Sequence, residues 1–264
     1  MKRSAIGLAA AAAAFSLTTP AMAVTVAFTN VQATWYDITW DNNTLGPPTE
    51  MHTGSGTPNT TVRWGVPQQT LQSGYGFAAT NPLAVVFAGS TSGNFAVGDF
   101  THFNYPQQNN TSASAAKLLF ATDVSVDGQN VGLVNFVFNF NHTETDNLVN
   151  PCADGGTLGV GINNNGCADR VQTNSNQVAG SFSHNGLTYY LDVQGLLVNG
   201  VPTQQFWTRE QATNTAGLLG QLRVGQSSVP GVPEPSTWAL MILGIGLTAA
   251  AMRRRQRASV RFAF

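Results

Sequence analysis

Apolar and polar residues alternate at period two through much of the chain between positions 24 and 225, as they do in strands that turn one face to a core. Val134, Phe136, Phe138 and Phe140 recur at every second position, with Asn135, Asn139 and Asn141 between them. Leu187, Tyr189, Leu191 and Val193 repeat the pattern, with Asp192 and Gln194 on the other face. Tyr36, Ile38 and Trp40 are expected to form a third apolar face against Asp37 and Thr39. The dipeptides Asp127-Gly128, Asn185-Gly186 and Asn199-Gly200 punctuate these runs, and each readily takes the positive φ values of a type I′ hairpin turn. No stretch of this region sustains an apolar period of 3.6. The pattern predicts an all-β fold, an antiparallel β-sandwich that is jelly-roll-like, with polar loops over 41–59, 107–114 and 152–167.

The two ends follow a different rule. Lys2 and Arg3 precede an apolar run from Ala5 to Leu17 and the small-residue site Ala21-Met22-Ala23, the layout of a cleaved export signal over residues 1–23. At the other end, Val232-Pro233-Glu234-Pro235-Ser236-Thr237-Trp238 leads into an uncharged segment and then Arg253-Arg254-Arg255-Gln256-Arg257. Residues 236–252 make a helix of roughly 25 Å at 1.5 Å per residue, at the short end of what crosses a bilayer core. Trp238 and the arginines stand where an interfacial aromatic and a cytoplasmic positive cluster belong. The chain therefore divides into a signal peptide (1–23), a β-sandwich (24–225), a linker with the Pro-Glu-Pro motif (226–235), a transmembrane helix (236–252) and an Arg-rich cytoplasmic tail (253–264).

The order of Pro233-Glu234-Pro235, apolar segment and arginine cluster resembles the PEP-CTERM sorting signal of exported bacterial proteins. That resemblance implies an exosortase as partner, transient residence in the inner membrane of a Gram-negative bacterium, and a destination at the cell surface or beyond it. It also implies a role in an exopolysaccharide matrix.

Separating the ends from the body changes the charge balance. Of the 12 basic residues, two lie in the leader and five in the tail, and of the 13 acidic residues only Glu234 lies in the tail segment. The body retains Arg63, Lys117, Arg170, Arg209 and Arg223 against 12 carboxylates, a net charge near −7. Such a surface repels nucleic acid and anionic lipid. Cys152 and Cys167 are the only cysteines, in a Gly/Asn-rich stretch of an exported chain, and are expected to form a disulfide that contributes about 3 kcal/mol by restricting the unfolded state. Two cysteines without neighbouring histidines would fill only half of a structural zinc site.

Within the body, Val62-Arg63-Trp64-Gly65, Gln72-Ser73-Gly74-Tyr75-Gly76-Phe77, Val97-Gly98-Asp99-Phe100-Thr101-His102-Phe103-Asn104-Tyr105-Pro106, Gly166-Cys167-Ala168-Asp169 and Thr208-Arg209-Glu210-Gln211-Ala212-Thr213-Asn214 resemble the THxN group of exported proteins. That group is also called choice-of-anchor K, and Thr101-His102-Phe103-Asn104 would be its naming motif. The resemblance implies no established enzymatic activity.

Four sets of residues could carry chemistry. On a strand, His102 and Asn104 share a face with Phe100, whereas Asp99 points away with Thr101 and Phe103. They are candidates either for ligand contact or for hydrogen bonds that lock a corner of the fold. His142, Glu144 and Asp146 alternate and would project together from an extended segment, a weak metal-ligand set whose carboxylates suit Ca²⁺ and whose histidine suits a transition metal. Asp154 and Asp169, just beyond the cysteines, could support a calcium clamp. Trp35, Trp40, Trp64 and Trp207 are candidates for core positions or for sugar-stacking platforms. No nucleophile motif accompanies these residues. The sequence therefore predicts a non-enzymatic exported protein with a structural or glycan-binding role and no required cofactor, Ca²⁺ being an ion that the carboxylates would suit. The alternatives are a secreted polysaccharide hydrolase using Asp99, His102 or Glu210, and a calcium-stabilised adhesin.

Overall fold

Fourteen strands and one 3-10 turn (Gly161–Asn163) make up nearly all the regular structure of the computed structural model, which describes residues 22–41, 50–174, 177–226 and 243–245. The strands are β1 (Val24–Trp40), β2 (Met51–Thr53), β3 (Asn59–Trp64), β4 (Ser73–Ala79), β5 (Leu83–Phe87), β6 (Phe95–Asn104) and β7 (Ala113–Val126). They continue with β8 (Gln129–Thr143), β9 (Asp169–Thr173), β10 (Val178–His184), β11 (Leu187–Val198), β12 (Val201–Thr203), β13 (Gln205–Thr208) and β14 (Ala212–Gln226).

They form two curled antiparallel sheets. One has the order β13-β9-β8-β7-β1-β5, and the other the order β10-β11-β14-β6-β4-β3-β2, with β12 paired to β11. The inner faces meet in a core that includes Phe28, Trp35, Phe100, Phe120, Phe136, Phe138 and Phe140. Phe100 of one sheet stacks on Phe140 of the other with centroids 4.8 Å apart, and Trp35 lies 5.3 Å from the same ring. Each buried ring removes enough apolar surface to contribute about 2–3 kcal/mol. Curling brings the edge strand β10 against β8. A Cβ at Gly180 would lie 2.7 Å from the Asn135 carbonyl oxygen, so a glycine is what permits that approach.

The alternation read from the sequence is realised in β8, where Phe136, Phe138 and Phe140 are buried, and in β11, where Tyr189, Leu191 and Val193 are buried. Asp192 faces outward but is covered by Arg223, whose Nε donates to it at 2.9 Å. The three predicted hairpin turns have positive φ at both residues: 49° and 77° at Asp127-Gly128, 50° and 75° at Asn185-Gly186, 51° and 81° at Asn199-Gly200.

β1 departs from the expected phase. Trp35 is buried and Tyr36 is exposed, so Tyr36 does not share an apolar face with Ile38 and Trp40. The reason is a bulge between Tyr36 and Thr39, where Asp37 sits at φ 51°; an earlier one, at Asn30 with φ 52°, interrupts the register between Thr29 and Gln32. Each extra residue reverses the inside–outside alternation, and the short polar side chains of Asn and Asp tolerate the left-handed conformation that a bulge uses. The 41–59 segment is also less irregular than expected, since Met51–Thr53 pairs with β3 at the sheet edge.

The chain separates into two units, 1–225 and 226–264. The second is described at Gln226, the last residue of β14, and at residues 243–245, which are helical. The expected export signal (residues 1–21 of it), the Pro233-Glu234-Pro235 motif, most of the 236–252 segment and the Arg-rich tail lie outside the described residues. Among the described residues no helix is long and apolar enough to cross a membrane.

Candidate functional site

Polar groups gather at one end of the aromatic core, where β6, β8 and β9 meet the turn between β13 and β14. From Asp99 onward β6 alternates as its sequence dictates: Phe100, His102 and Asn104 are buried, and Asp99 is exposed on the opposite face. His102 and Asn104 both hold Thr208 at the end of β13. His102 Nδ1 is 2.8 Å from Thr208 Oγ1, and Asn104 Nδ2 donates to the Thr208 carbonyl at 3.1 Å. The Thr208 hydroxyl in turn donates to the Asp169 carbonyl at 3.2 Å. When the Thr208 hydroxyl donates to the Asp169 carbonyl, its Oγ1 accepts from His102, an arrangement that places the imidazole proton on Nδ1 and leaves Nε2 as a bare lone pair. That Nε2 is buried without a hydrogen-bond partner.

β8 delivers His142 one residue before its end. Its Nδ1 lies 2.9 Å from the Tyr75 hydroxyl, and its ring packs against His102 at 4.9 Å. Its Nε2 lies 3.4 Å from Glu144 Oε2 and 4.0 Å from Asp169 Oδ2. Asp169 opens β9 directly after the disulfide. Its Oδ1 accepts from the Thr145 amide at 2.7 Å, while Oδ2 is buried and unpaired. Glu210 is fully buried in the β13–β14 turn, and neither of its carboxylate oxygens has a hydrogen-bond partner of ordinary geometry.

These placements bring His102, His142 and Asp169 together, and Glu144, Asp169 and Glu210 together, with one ligand atom per residue lying within 4.8 Å of the others in each group. The electrostatics follow from the crowding. Burial pushes the Asp169 carboxyl well above its ordinary pKa, and the negative neighbours Glu144 and Glu210 push it further, against the two hydrogen bonds from Thr145. Burial, then Glu144, raises Glu210 to about 7, with partial relief from Asn147 and the Gln211 amide. Burial, with His142 and Arg63 nearby, holds His102 well below the usual imidazole value, so it is neutral. Among the described residues no lysine or arginine forms an ion pair with these carboxylates.

A cleft of about 720 Å³ adjoins the cluster and includes Glu144, Asn147 and Asn165. Side-chain amides dominate the rest of its lining, among them Gln68, Gln107 and Asn109. Ser112 Oγ donates to Glu144 Oε2 at 2.7 Å where the two meet.

The remaining candidates separate. Asp146 is exposed and its Oδ1 accepts from the Leu148 amide, so the set His142, Glu144 and Asp146 is not assembled; β8 ends at Thr143 and the alternation ends with it. Asp154 is held by Asn163 at 2.9 Å and does not join Asp169 in a clamp. Asp99 faces away from His102 and Glu210, so the three hydrolase candidates do not share a site. Trp35 and Trp64 are core residues, whereas Trp207 is partly exposed and lines a shallow polar cleft with Gln194 and Gln205. The Cys152–Cys167 disulfide is formed. Sequence reading took Glu210 and Asp169 for separate weak candidates, because 41 positions part them in the chain.

Residues 231–255 match the PEP-CTERM protein-sorting motif. The match covers the sorting segment alone and leaves the resemblance of the body to the THxN group without support. No curated protein matches the chain. The motif is one that exosortases process, and it implies export and passage through the membrane of a Gram-negative bacterium.

Proposed function

We propose that this chain is an exported protein that is cut at its Pro-Glu-Pro region by an exosortase and works outside the cell as a structural or glycan-binding module, without catalysis of its own. The PEP-CTERM match over residues 231–255 carries this reading. The body contributes a rigid sandwich and a cleft whose Gln and Asn side chains offer both donors and acceptors. Paired donors and acceptors complement the hydroxyls of a neutral polysaccharide, and an acidic body keeps clear of nucleic acid. The separation of Asp99 from His102 and Glu210 speaks against the hydrolase alternative.

The test replaces Pro233, Glu234 and Pro235 together by alanine in a host that carries an exosortase. The unaltered chain should be recovered outside the inner membrane with its arginine tail removed, as read by intact mass. The altered chain should stay in the inner membrane at full C-terminal length. Release of both chains alike would refute the sorting claim.

A further inference from the structure

We propose that His102, His142 and Asp169 hold one divalent transition-metal ion of the Zn²⁺ class inside the sandwich, with Glu144 and Glu210 beside it. The argument rests on the body alone and is independent of the sorting motif.

The donor atoms are already gathered. Ligands bound to one such ion at about 2.0–2.2 Å lie roughly 3–4.4 Å apart. The three groups offer atoms within 4.8 Å of one another, so movements of at most about 0.7 Å per group close the site. The second observation is the unpaired Nε2 of His102, on a side chain with no solvent exposure. With the Thr208 hydroxyl donating to the Asp169 carbonyl, the imidazole proton sits on Nδ1 and Nε2 is an acceptor, and among the described residues no donor reaches it. Buried polar atoms in native proteins nearly always have a partner, and a cation is the partner that suits a bare imidazole nitrogen facing a carboxylate.

Both imidazoles are also oriented as metal ligands usually are. A ligating histidine commonly donates its second nitrogen to a neighbouring acceptor, which fixes the ring. Here Thr208 Oγ1 serves His102 and the Tyr75 hydroxyl serves His142, both from within the core. Protonation of the carboxylates does not account for the cluster equally well. It would remove charge, but in the observed geometry Asp169 Oδ2 and the Nε2 of His102 would still lack a hydrogen-bond partner.

The pair of nitrogen donors decides the class of metal. Ca²⁺ and Mg²⁺ take oxygen ligands, whereas imidazole suits Zn²⁺, Cu²⁺, Fe²⁺ and Ni²⁺. Of the two ion classes that the sequence left open for His142, Glu144 and Asp146, this is the transition-metal one, and Asp169, 23 residues further along the chain, stands in place of the exposed Asp146.

The experiment uses the full-length chain, purified and dialysed against EDTA. Zn²⁺, Mn²⁺ and Co²⁺ are added separately, with Ca²⁺ as comparison, and metal content, calorimetric titration, thermal unfolding and the Co²⁺ absorption spectrum are read. One ion per chain is expected, with a rise in Tm of roughly 5–10 °C at a hundredfold excess over Kd. Co²⁺ should show ligand-field bands that change when His142 is replaced by Gln. Asp169→Asn and His102→Gln should weaken binding at least about 100-fold, with the far-UV circular dichroism in EDTA unchanged. Because His102 also anchors Thr208, the wild-type stoichiometry and the Co²⁺ spectrum stand as tests that need no variant. Absence of stoichiometric binding of all three transition metals by the wild-type chain would overturn the proposal. So would tight Ca²⁺ binding that His102→Gln and His142→Gln leave unchanged, since the ion would then rest on carboxylates alone.

Discussion

Replacing Glu210 by glutamine should stabilise the metal-free protein, and by an amount that depends on pH. Glu210 is fully buried, and burial with the nearby Glu144 raises its pKa from 4.5 to about 7 against partial relief from Asn147 and the Gln211 amide. For an acid whose folded pKa is raised, the unfolded chain loses its proton first as pH increases. Stability contributed by this group is therefore intact below pH 4.5, declines between pH 4.5 and 7, and stays low above that window. A shift of about 2.5 units corresponds to about 3 kcal/mol at pH 8 and to less than about 1 kcal/mol at pH 5. Glutamine has nearly the same shape and cannot ionise, and its amide brings a donor into a region holding the unpaired Asn147 Oδ1 and Asp169 Oδ2. Urea unfolding in EDTA at pH 5 and pH 8, for the wild-type chain and Glu210→Gln, should show the variant more stable by roughly 2–3 kcal/mol at pH 8 and nearly equal at pH 5. Saturating Zn²⁺ should narrow the gap at pH 8, because a cation offsets the buried charge in the wild-type protein. A variant less stable than wild type at pH 8 in EDTA, or a difference that does not change with pH, would refute the reasoning.

Tyr75→Phe keeps the ring that packs 4.9 Å from Phe100 and removes only the hydroxyl bonded to His142, so it should destabilise the fold by about 1–3 kcal/mol in chemical denaturation; a loss below about 0.5 kcal/mol would show that His142 finds another partner. Replacing both Cys152 and Cys167 by alanine opens a loop of 15 residues and should lower stability by about 3 kcal/mol, with a fall in Tm of roughly 6–12 °C; an unchanged Tm would mean that the hydrogen bonds of this loop hold it without the bond.

The hairpins at Asp127-Gly128, Asn185-Gly186 and Asn199-Gly200 were legible in the sequence because a turn that needs positive φ at two consecutive residues restricts its composition locally. The inward face of β8 was legible for a similar reason, since period two is a property of the strand itself. The phase of β1 was not. Asn30 and Asp37 carry bulges, yet nothing in their immediate neighbours distinguishes a bulge from a continuous strand until the partner β7 sets the register. The face shared by His102 and Asn104 followed from alternation, as did the outward turn of Asp99.

The sequence by itself determined the all-β character of the body, its principal turns, the disulfide and the sorting segment, because each of these is written in residues close together in the chain. Only the tertiary structure assembled the buried cluster. His102 comes from β6, His142 from β8, Asp169 from β9 and Glu210 from the turn before β14, and pairing of β6 with β14 and of β8 with β9 carries them to one end of the core. Which strands pair is decided by how the sheets bury their aromatic faces together, a long-range energy that no short window of sequence contains.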